Sequence, residues 1–462
     1  MKSNRGVFAQ MIKKPSKADG FYFGTEDIFN LKGSEDIVVV GQVIGKLTTG
    51  DTVCITNPGD DDTASMTGTV IGIEVNRLEA RVAKNTVAAL RIKDGRKLPL
   101  KTGSVLHTER GTREAIHDVY MMAIGEGFIS FKEMKLSQAE FARMSLTDIV
   151  ELINLFRLYI DKEKGKLAET LSSHDAEISD ELGNVLRDKL LSAKEIYVLM
   201  NKKTGEPHML SVSYESESGE ITTTPPDIVV LTKAYIDEWK NKFDGEVFEF
   251  LEVENGPSGT GIRDFLSSAF YLNGACGVRV LYENIVAVAG SLVARPDYSN
   301  LPDIQVPVTN PDLERWLLLT GQLDEPKTTD EEKIQMALYS HLFRELAGAR
   351  FIVPMKMDSE PDEPDEDGHV TIKKDTKMTI SIQSGRGNRD AVRMYTDWKR
   401  LRLLYKEEEG WSGLIETIPG MIESFDCAIN VTNHPSAGCY VDRIAYDADI
   451  RRHVTKDAGA CI

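Results

Sequence analysis

The chain has 462 residues, 41% of them hydrophobic, and this length and composition allow about three domains with packed cores. Its formal net charge of −18 at pH 7 argues against a general nucleic-acid or anionic-membrane binder, because both need a basic surface. Five scattered cysteines, no C-x-x-C spacing and a polar N-terminal start predict a reducing, cytoplasmic setting. No apolar run approaches the roughly 18 residues of a membrane span.

Residues 18–108 show the pattern of an all-β domain. Short apolar segments at 37–43, 53–55, 66–75, 87–92 and 103–106 alternate with turns that contain glycine and aspartate. Short strands at regular spacing predict a small closed barrel.

This segment resembles domain II of translational GTPases of the elongation factor Tu type. The resemblance is carried by Phe21, Phe23, Gly33, Gly50, Asp51 and Val53, and by the segments 26–29, 38–43, 72–74 and 103–106. It implies a barrel that contacts tRNA ends, ribosomal RNA or neighbouring domains, with a plain scaffold role as the alternative. Only about 20 residues precede the barrel and no G-x-x-x-x-G-K-[ST] phosphate loop occurs, so we expect no GTPase activity.

The barrel segment also supplies basic residues for a local patch in an otherwise acidic chain. Arg77, Arg81, Arg91 and Lys93 are the candidate binding residues, and further basic side chains follow at Lys84, Arg96 and Lys97. Binding of ribosome or tRNA at this patch would weaken steeply with salt.

Residues 109–178 predict a helical connector. Ser145 and Asp148 have the spacing of a helix start. An apolar stripe at helical spacing follows, from Leu146 to Ile160. This stripe predicts packing against a domain, with a partner-binding or dimerising helix as the alternative.

Two later segments, 179–295 and 329–450, repeat one order of elements. Each begins with a capped helix, predicted to start at Ser179 and at a Thr329/Glu332 capping box. A buried strand, a polar stretch and a strand ending on threonine (Thr232, Thr396) come next, and then a helix and another buried strand. The acidic run 358–368 predicts an inserted, solvated hairpin tip in the second copy.

The second copy resembles SseB-type domains, the "enhanced serine sensitivity" family. The residues are Tyr395-Thr396-Asp397 at the strand-to-helix step and Ile429-Asn430 after the later strand, and the first copy has Leu231-Thr232-Lys233 at the step. The resemblance implies α/β domains without enzymatic activity. The predicted fold class is thus a multidomain chain: an all-β barrel, a helical connector and two α/β repeats.

Candidate chemistry is sparse. No two of the eight histidines have metal-ligand spacing, and Gly256–Gly261 lacks the lysine of a phosphate loop, so we predict no metal and no cofactor. Thr232 and Thr396 are predicted helix N-caps, and the alternative for each is an anion site at the helix start. On that alternative Thr396 is the fifth candidate binding residue.

The sequence therefore predicts a non-enzymatic cytoplasmic binding or adaptor protein with an unknown protein partner and neither DNA nor membrane as a target. One alternative is a translation-associated factor that contacts ribosome or tRNA through the barrel. A second is a regulator of a metabolic or sulfur-transfer enzyme, which rests on the SseB resemblance. A third is an enzyme, which a polar cluster in a cleft between the two copies would indicate.

Overall fold

The structure is a computed structural model that describes residues 20–58, 66–130, 136–164, 173–217, 219–283, 285–302, 305–358, 376–385 and 389–454. The chain divides into two compact units, residues 1–190 and 191–462, which confirms the multidomain organisation. Across these ranges, no helix combines the length and the apolar composition needed to cross a bilayer. Apart from Asp358, the predicted hairpin tip lies outside the described residues.

A closed antiparallel barrel forms the first part of unit 1. Its described strands, β1 to β9, are Tyr22–Asn30, Ile37–Ile44, Lys46–Thr48, Thr52–Thr56, Met66–Val75, Leu78–Ala80, Val82–Lys84, Val87–Ile92 and Val105–His107. Six of these described strands pair in the order β4-β9-β1-β2-β8-β5, and β5 pairs back to β4. The closed barrel predicted from the sequence is confirmed. β6 extends from β5, and β3 with β7 forms a separate ribbon.

The barrel closes around side chains that alternate between core and surface. Every second residue of β2 is buried, and Val39 and Val43 are fully enclosed. Gly41 lies between them, at a close approach of β1. A Cβ at Gly41 would come within 1.8 Å of the carbonyl oxygen of Gly24, so the barrel requires a residue without a side chain there.

Helices follow the barrel in unit 1. The described ones, α1 to α4, are Arg113–Ile124, Gln138–Arg143, Leu146–Lys164 and Ser173–Ser192, and a π-helical turn over Gly125–Ser130 follows α1. The predicted start of α3 is confirmed, because Ser145 Oγ accepts from the Asp148 N–H and Asp148 accepts from the Ser145 N–H. α4 begins at Ser173 rather than at Ser179, so the connector boundary predicted at residue 178 falls inside this helix.

The first α/β copy in unit 2 follows α4. Its strands β10 to β17 are Glu195–Asn201, Glu206–Pro207, Ser213–Glu215, Ile221–Thr223, Asp227–Leu231, Phe248–Glu254, Gly277–Val280 and Val286–Val288. Its helices α5 to α7 are Lys233–Trp239, Gly261–Tyr271 and Ala289–Leu292. β10 pairs antiparallel with both β15 and β14, β14 pairs parallel with β16, and β16 pairs antiparallel with β17.

The second α/β copy begins after a connecting helix, α8 Pro311–Gln322. Its strands β18 to β24 are Phe351–Met357, Met378–Ile380, Ile382–Ser384, Asp390–Met394, Ser412–Glu416, Asp426–Ile429 and Cys439–Val441. Its helices α9 to α12 are Thr329–Gly348, Trp398–Leu401, Ile418–Met421 and Arg443–Ala445. The α9 capping box is Thr328 with Glu331, one residue before the predicted pair, because Thr328 is the last residue with extended backbone.

The two copies share one strand order. β18 pairs antiparallel with β22, and an antiparallel bridge from Ile352 to Tyr395 joins it to the end of β21. β21 pairs parallel with β23, and β23 pairs antiparallel with β24. Strands β10, β14, β15, β16 and β17 of the first copy therefore correspond to β18, β21, β22, β23 and β24 of the second.

Candidate functional site

A buried group of polar residues lies where the two copies and α8 meet. We call it the inter-copy cluster; its members are Glu206, Asn273, Glu314, Thr396, Asp397, Arg400 and Asn430. Glu206 and Asn273 belong to the first copy, Glu314 to α8, and the other four to the second copy. Every member except Glu206 is at most 5% exposed. Polar groups buried this deeply need hydrogen-bond partners inside the protein.

Parallel strands bring the second-copy members together. Thr396 follows β21 and Asn430 follows β23, and these neighbouring strands end at the same edge of the sheet. Asn430 adopts a φ of 51°, a conformation that asparagine tolerates better than most residues. Its side-chain oxygen accepts the Thr396 N–H at 3.1 Å. The sheet thus fixes the hydroxyl of Thr396 and the amide of Asn430 side by side.

Glu314 is the acceptor at the centre of the cluster. Its Oε1 accepts from the Thr396 hydroxyl and from the Asn430 side-chain amide. Its Oε2 lies 3.1 Å from Arg400 Nη2, but without the alignment of a hydrogen bond. One carboxylate on α8 is therefore held by both strand ends of the second copy.

Arg400 joins the two copies through its guanidinium. Nη1 donates to Asp397, and Nη2 donates to Asn273 Oδ1 at 2.8 Å. Nη2 is also 3.4 Å from Glu206, whose other oxygen accepts from Asn273 Nδ2 at 2.9 Å. A single arginine of the second copy thereby engages two polar side chains of the first.

The cluster holds more acidic than basic groups. Arg400 faces both enclosed carboxylates, Glu314 and Asp397, but its single positive charge balances only one of them. Lys399 reaches only the half-buried Glu206, at 3.6 Å. Burial raises the pKa of Glu314 to about 7; the charge of Asp397 adds to the rise, while Arg400 and the two hydrogen bonds oppose it. Glu314 thus changes protonation near neutral pH.

The first copy lacks the cluster at the corresponding positions. The Leu281 N–H donates to a carbonyl of β14 as the Asn430 N–H donates to one of β21, and φ is 54° at Leu281 against 51° at Asn430. Lys233 and Ile236 follow Thr232 at the spacing with which Asp397 and Arg400 follow Thr396. The shared topology therefore does not require these polar residues, and their presence in the second copy needs another explanation.

The prediction that Thr396 caps a helix is wrong. Asp397 is the N-cap of α10, accepting the Arg400 N–H at 2.9 Å, while the Thr396 hydroxyl donates to Glu314. Thr232 does occupy the N-cap position of α5, but its side chain makes no capping bond. Glu314 and Arg400 were missed, because only the tertiary fold brings an acidic residue of a connecting helix to the β21–α10 step.

Two of the basic barrel residues are already paired with carboxylates. Arg91 pairs with Asp36 at 2.7 Å, and Lys97 pairs with Asp94 at 3.0 Å. Lys93 follows β8, two positions after Arg91, and is exposed. Arg77 lies in the β5–β6 turn with a φ of 65°, and Arg81 follows β6; both are exposed.

Within the described residues, one group of three carboxylates could hold a metal ion. Oxygens of Glu195, Glu252 and Glu254 lie within 4.8 Å of one another on β10 and β15. The Tyr197 hydroxyl lies 3.1 Å from an oxygen of Glu195 and from one of Glu252, and its single proton already satisfies part of this group. The prediction of no metal stays a prediction.

Comparison with known proteins gives little. No protein-family model matches the chain, and no curated protein matches it. A solved structure of translation elongation factor SelB from Methanococcus maripaludis, in its apo form, is 18% identical, with a TM-score of 0.17. The match covers 22% of this chain and 20% of the SelB chain, a fifth of its length, and supports no inference about function.

Proposed function

We propose that this chain is a non-enzymatic binding protein, an adaptor in which the two α/β copies act as one rigid body that presents a surface to a protein partner. The observation that carries the proposal is the inter-copy cluster, which joins the copies through buried, directional bonds. The SseB resemblance of the second copy is in keeping with such a role, and an adaptor of that kind in the cytoplasm would regulate a metabolic or sulfur-transfer enzyme.

Accessibility favours this function over catalysis. Glu314, Thr396 and Asn430 have no exposed surface, and Arg400 is 5% exposed. A catalytic group must reach its substrate to within hydrogen-bond distance. Most donors and acceptors of the cluster are instead occupied by each other, which makes it suited to holding the copies in a fixed arrangement.

Directional bonds fix an arrangement better than apolar contact does. Arg400 must meet Asn273 and Glu206 of the first copy while it pairs with Asp397 and Glu314. A slip of the copies would leave charged groups buried without partners, which costs several kcal/mol. A fixed pair of copies is pre-organised for a partner that contacts both.

The test compares three tagged full-length chains in capture from the native host, followed by quantitative mass spectrometry. Arg400→Lys keeps the charge and loses the planar fork that reaches both copies. The control is Arg344→Lys, an exposed arginine on α9. We expect one protein at near-stoichiometric amount with the wild type and the control, retained at moderate salt and reduced at least about tenfold with Arg400→Lys. Equal capture by all three folded chains, or no stoichiometric protein, would refute the proposal.

A second candidate function is contact with ribosome or tRNA through the barrel. Its support is a like-charged pair: Lys46 and Lys84 are directly opposite in the β3–β7 ribbon, and both are exposed. Like charges in this position are unfavourable without an anion nearby. Among the described residues, neither they nor Arg77 and Arg81 lie within ion-pair distance of a carboxylate.

Salt dependence tests this candidate. Binding to purified ribosomes or to tRNA should fall steeply with salt, and a Lys46→Gln/Lys84→Gln variant should weaken it and lower the slope. Arg91→Gln is the matched control, because Asp36 already neutralises Arg91. Binding that is unchanged in the double variant would exclude the ribbon as an RNA contact.

A further inference from the structure

An open cavity lies in unit 1, at the end of β4 and between the starts of α1 and α3. Its volume is about 610 Å³, within the range of small-molecule sites, about 300–1,000 Å³. Ile116 and Met144 give it a buried apolar floor. Neither of the proposed functions uses this cavity.

The lining is basic in a strongly acidic chain. Arg113, Arg143 and His117 line the cavity, and Asp148 is the acidic residue among the described lining. Asp148 is already engaged, since it accepts the Ser145 N–H at 2.8 Å and lies 3.4 Å from His117 Nε2. Its charge therefore only partly offsets the cations around it.

His117 lines the cavity together with the two arginines. Glu151 lies 3.6 Å from its Nε2, outside the cavity lining, and Asp148 lies on the cavity side. The hydrogen bond to Glu151 and the charge of Asp148 raise the pKa of His117 above its ordinary value, against the effect of burial. The imidazole is thereby shifted toward its cationic form near neutral pH.

The two arginines differ in what they already contact. Among the described residues, Arg113 has no carboxylate within ion-pair distance, and it is the first residue of α1. Arg143 is the last residue of α2 and already interacts with another residue. A guanidinium carries five N–H donors in a fork that fits phosphate oxygens, so a guanidinium that already has a partner can still donate to a ligand.

We propose that this cavity binds a small phosphorylated molecule, with Arg113 and Arg143 on the phosphate and the rest of the ligand against Ile116 and Met144. A phosphate monoester carries a charge of about −2 at neutral pH, which the two guanidinium groups match. Tyr120 also lines the cavity and supplies a hydroxyl and a ring face beside His117.

Isothermal titration calorimetry of the full chain with sodium pyrophosphate, at constant ionic strength, tests the proposal. We expect a Kd below about 1 mM for the wild type and at least about tenfold weaker binding for Arg113→Gln and for Arg143→Gln. Arg157→Gln is the matched control, an exposed arginine on α3 of the same unit that does not line the cavity. Arg113→Lys should fall between wild type and Arg113→Gln, because lysine keeps the charge without the fork.

Two results would overturn the site. One is no binding heat up to about 10 mM pyrophosphate, and the other is an equal loss in Arg157→Gln, which would mark general charge attraction. Thermal unfolding of each variant shows whether it is folded. If Arg143→Gln does not fold, Arg113→Gln and Arg113→Lys still decide the question, because Arg113 is exposed at the start of its helix.

Discussion

Replacing Arg400 with methionine should destabilise unit 2 more than any exposed arginine substitution. Methionine fills a similar volume but removes the cation that faces two enclosed carboxylates, Glu314 and Asp397. It also removes the donor to Asn273. The substitution therefore leaves several buried acceptors without a donor at once.

The magnitude follows from the burial of those charges. Removing one partner of a buried ion pair lowers the free energy of unfolding by about 3–5 kcal/mol. Because Arg400→Met leaves two carboxylates without their cation, we expect a loss near the upper end, about 4–5 kcal/mol near pH 8. The folded-state pKa of Glu314, about 7, lies above its ordinary value of 4.5. Its ionisation therefore has no effect below about pH 4.5, lowers the stability progressively from there to about pH 7, and opposes folding in full above that.

Lowering the pH should reduce the destabilisation caused by Arg400→Met. Arg400 lowers the pKa of Glu314, so the variant raises that pKa further, and every additional unit adds about 1.4 kcal/mol to the loss at alkaline pH. Near pH 5 the folded chain holds Glu314 neutral with or without Arg400. We expect the loss to be smaller there by at least about 1 kcal/mol.

Urea unfolding followed by tryptophan fluorescence measures this loss. All four tryptophans, at 239, 316, 398 and 411, belong to unit 2, so their emission reports on that unit alone. Arg344→Met is the control and should change the free energy of unfolding by less than about 0.5 kcal/mol. A loss below about 1 kcal/mol for Arg400→Met, or the same loss at both pH values, would refute the reasoning.

Three further variants test other parts of the structure. In Glu314→Gln the titrating group is gone, so the decline in urea-measured stability from about pH 4.5 to 7 should flatten, and an unchanged slope would contradict its role. Asn430→Leu leaves the buried Thr396 N–H without its acceptor and removes a donor to Glu314, although leucine occupies the equivalent position 281 of the first copy. We expect the free energy of unfolding to fall by at least about 2 kcal/mol in the same assay, and a loss below about 0.5 kcal/mol would contradict the assigned bonds. Gly41→Ala should lower the free energy of opening of the barrel amides, measured by hydrogen exchange, by at least about 2 kcal/mol. Gly72→Ala is the control and should not, because its Cβ would have its nearest neighbour at 3.5 Å. Equal effects of the two variants would disprove the steric argument.

The barrel could be predicted because its information is local. Alternating apolar residues fix which face of a strand is buried, and glycine and aspartate turns fix where each strand ends. The start of α3 is equally local, since Ser145 and Asp148 satisfy each other across three residues. The start of α9 was displaced by one residue because two overlapping Thr/Glu pairs fit the capping pattern. Only the backbone conformation of Thr328 decides between them.

The inter-copy cluster could not be predicted in the same way. Glu314 and Thr396 are 82 positions apart, and Asn273 and Arg400 are 127 apart. The threonine hydroxyl has two possible roles at a strand-to-helix step, capping the helix or bonding a distant acceptor. With Asp397 available as the cap, the hydroxyl is free to donate to Glu314, and that choice depends on where α8 packs.

The difference between the two copies bears on why the cluster exists. An apolar interface of the same volume would be as stable as a buried ion cluster or more so, because charges lose hydration when they are enclosed. The first copy shows that the topology tolerates Leu281 and Ile236 at the matching positions. The polar cluster of the second copy adds directional hydrogen bonds, since Arg400 satisfies its neighbours in one placement of the copies. We infer that the cluster serves the alignment of the copies more than their stability, as the proposed two-copy adaptor would require.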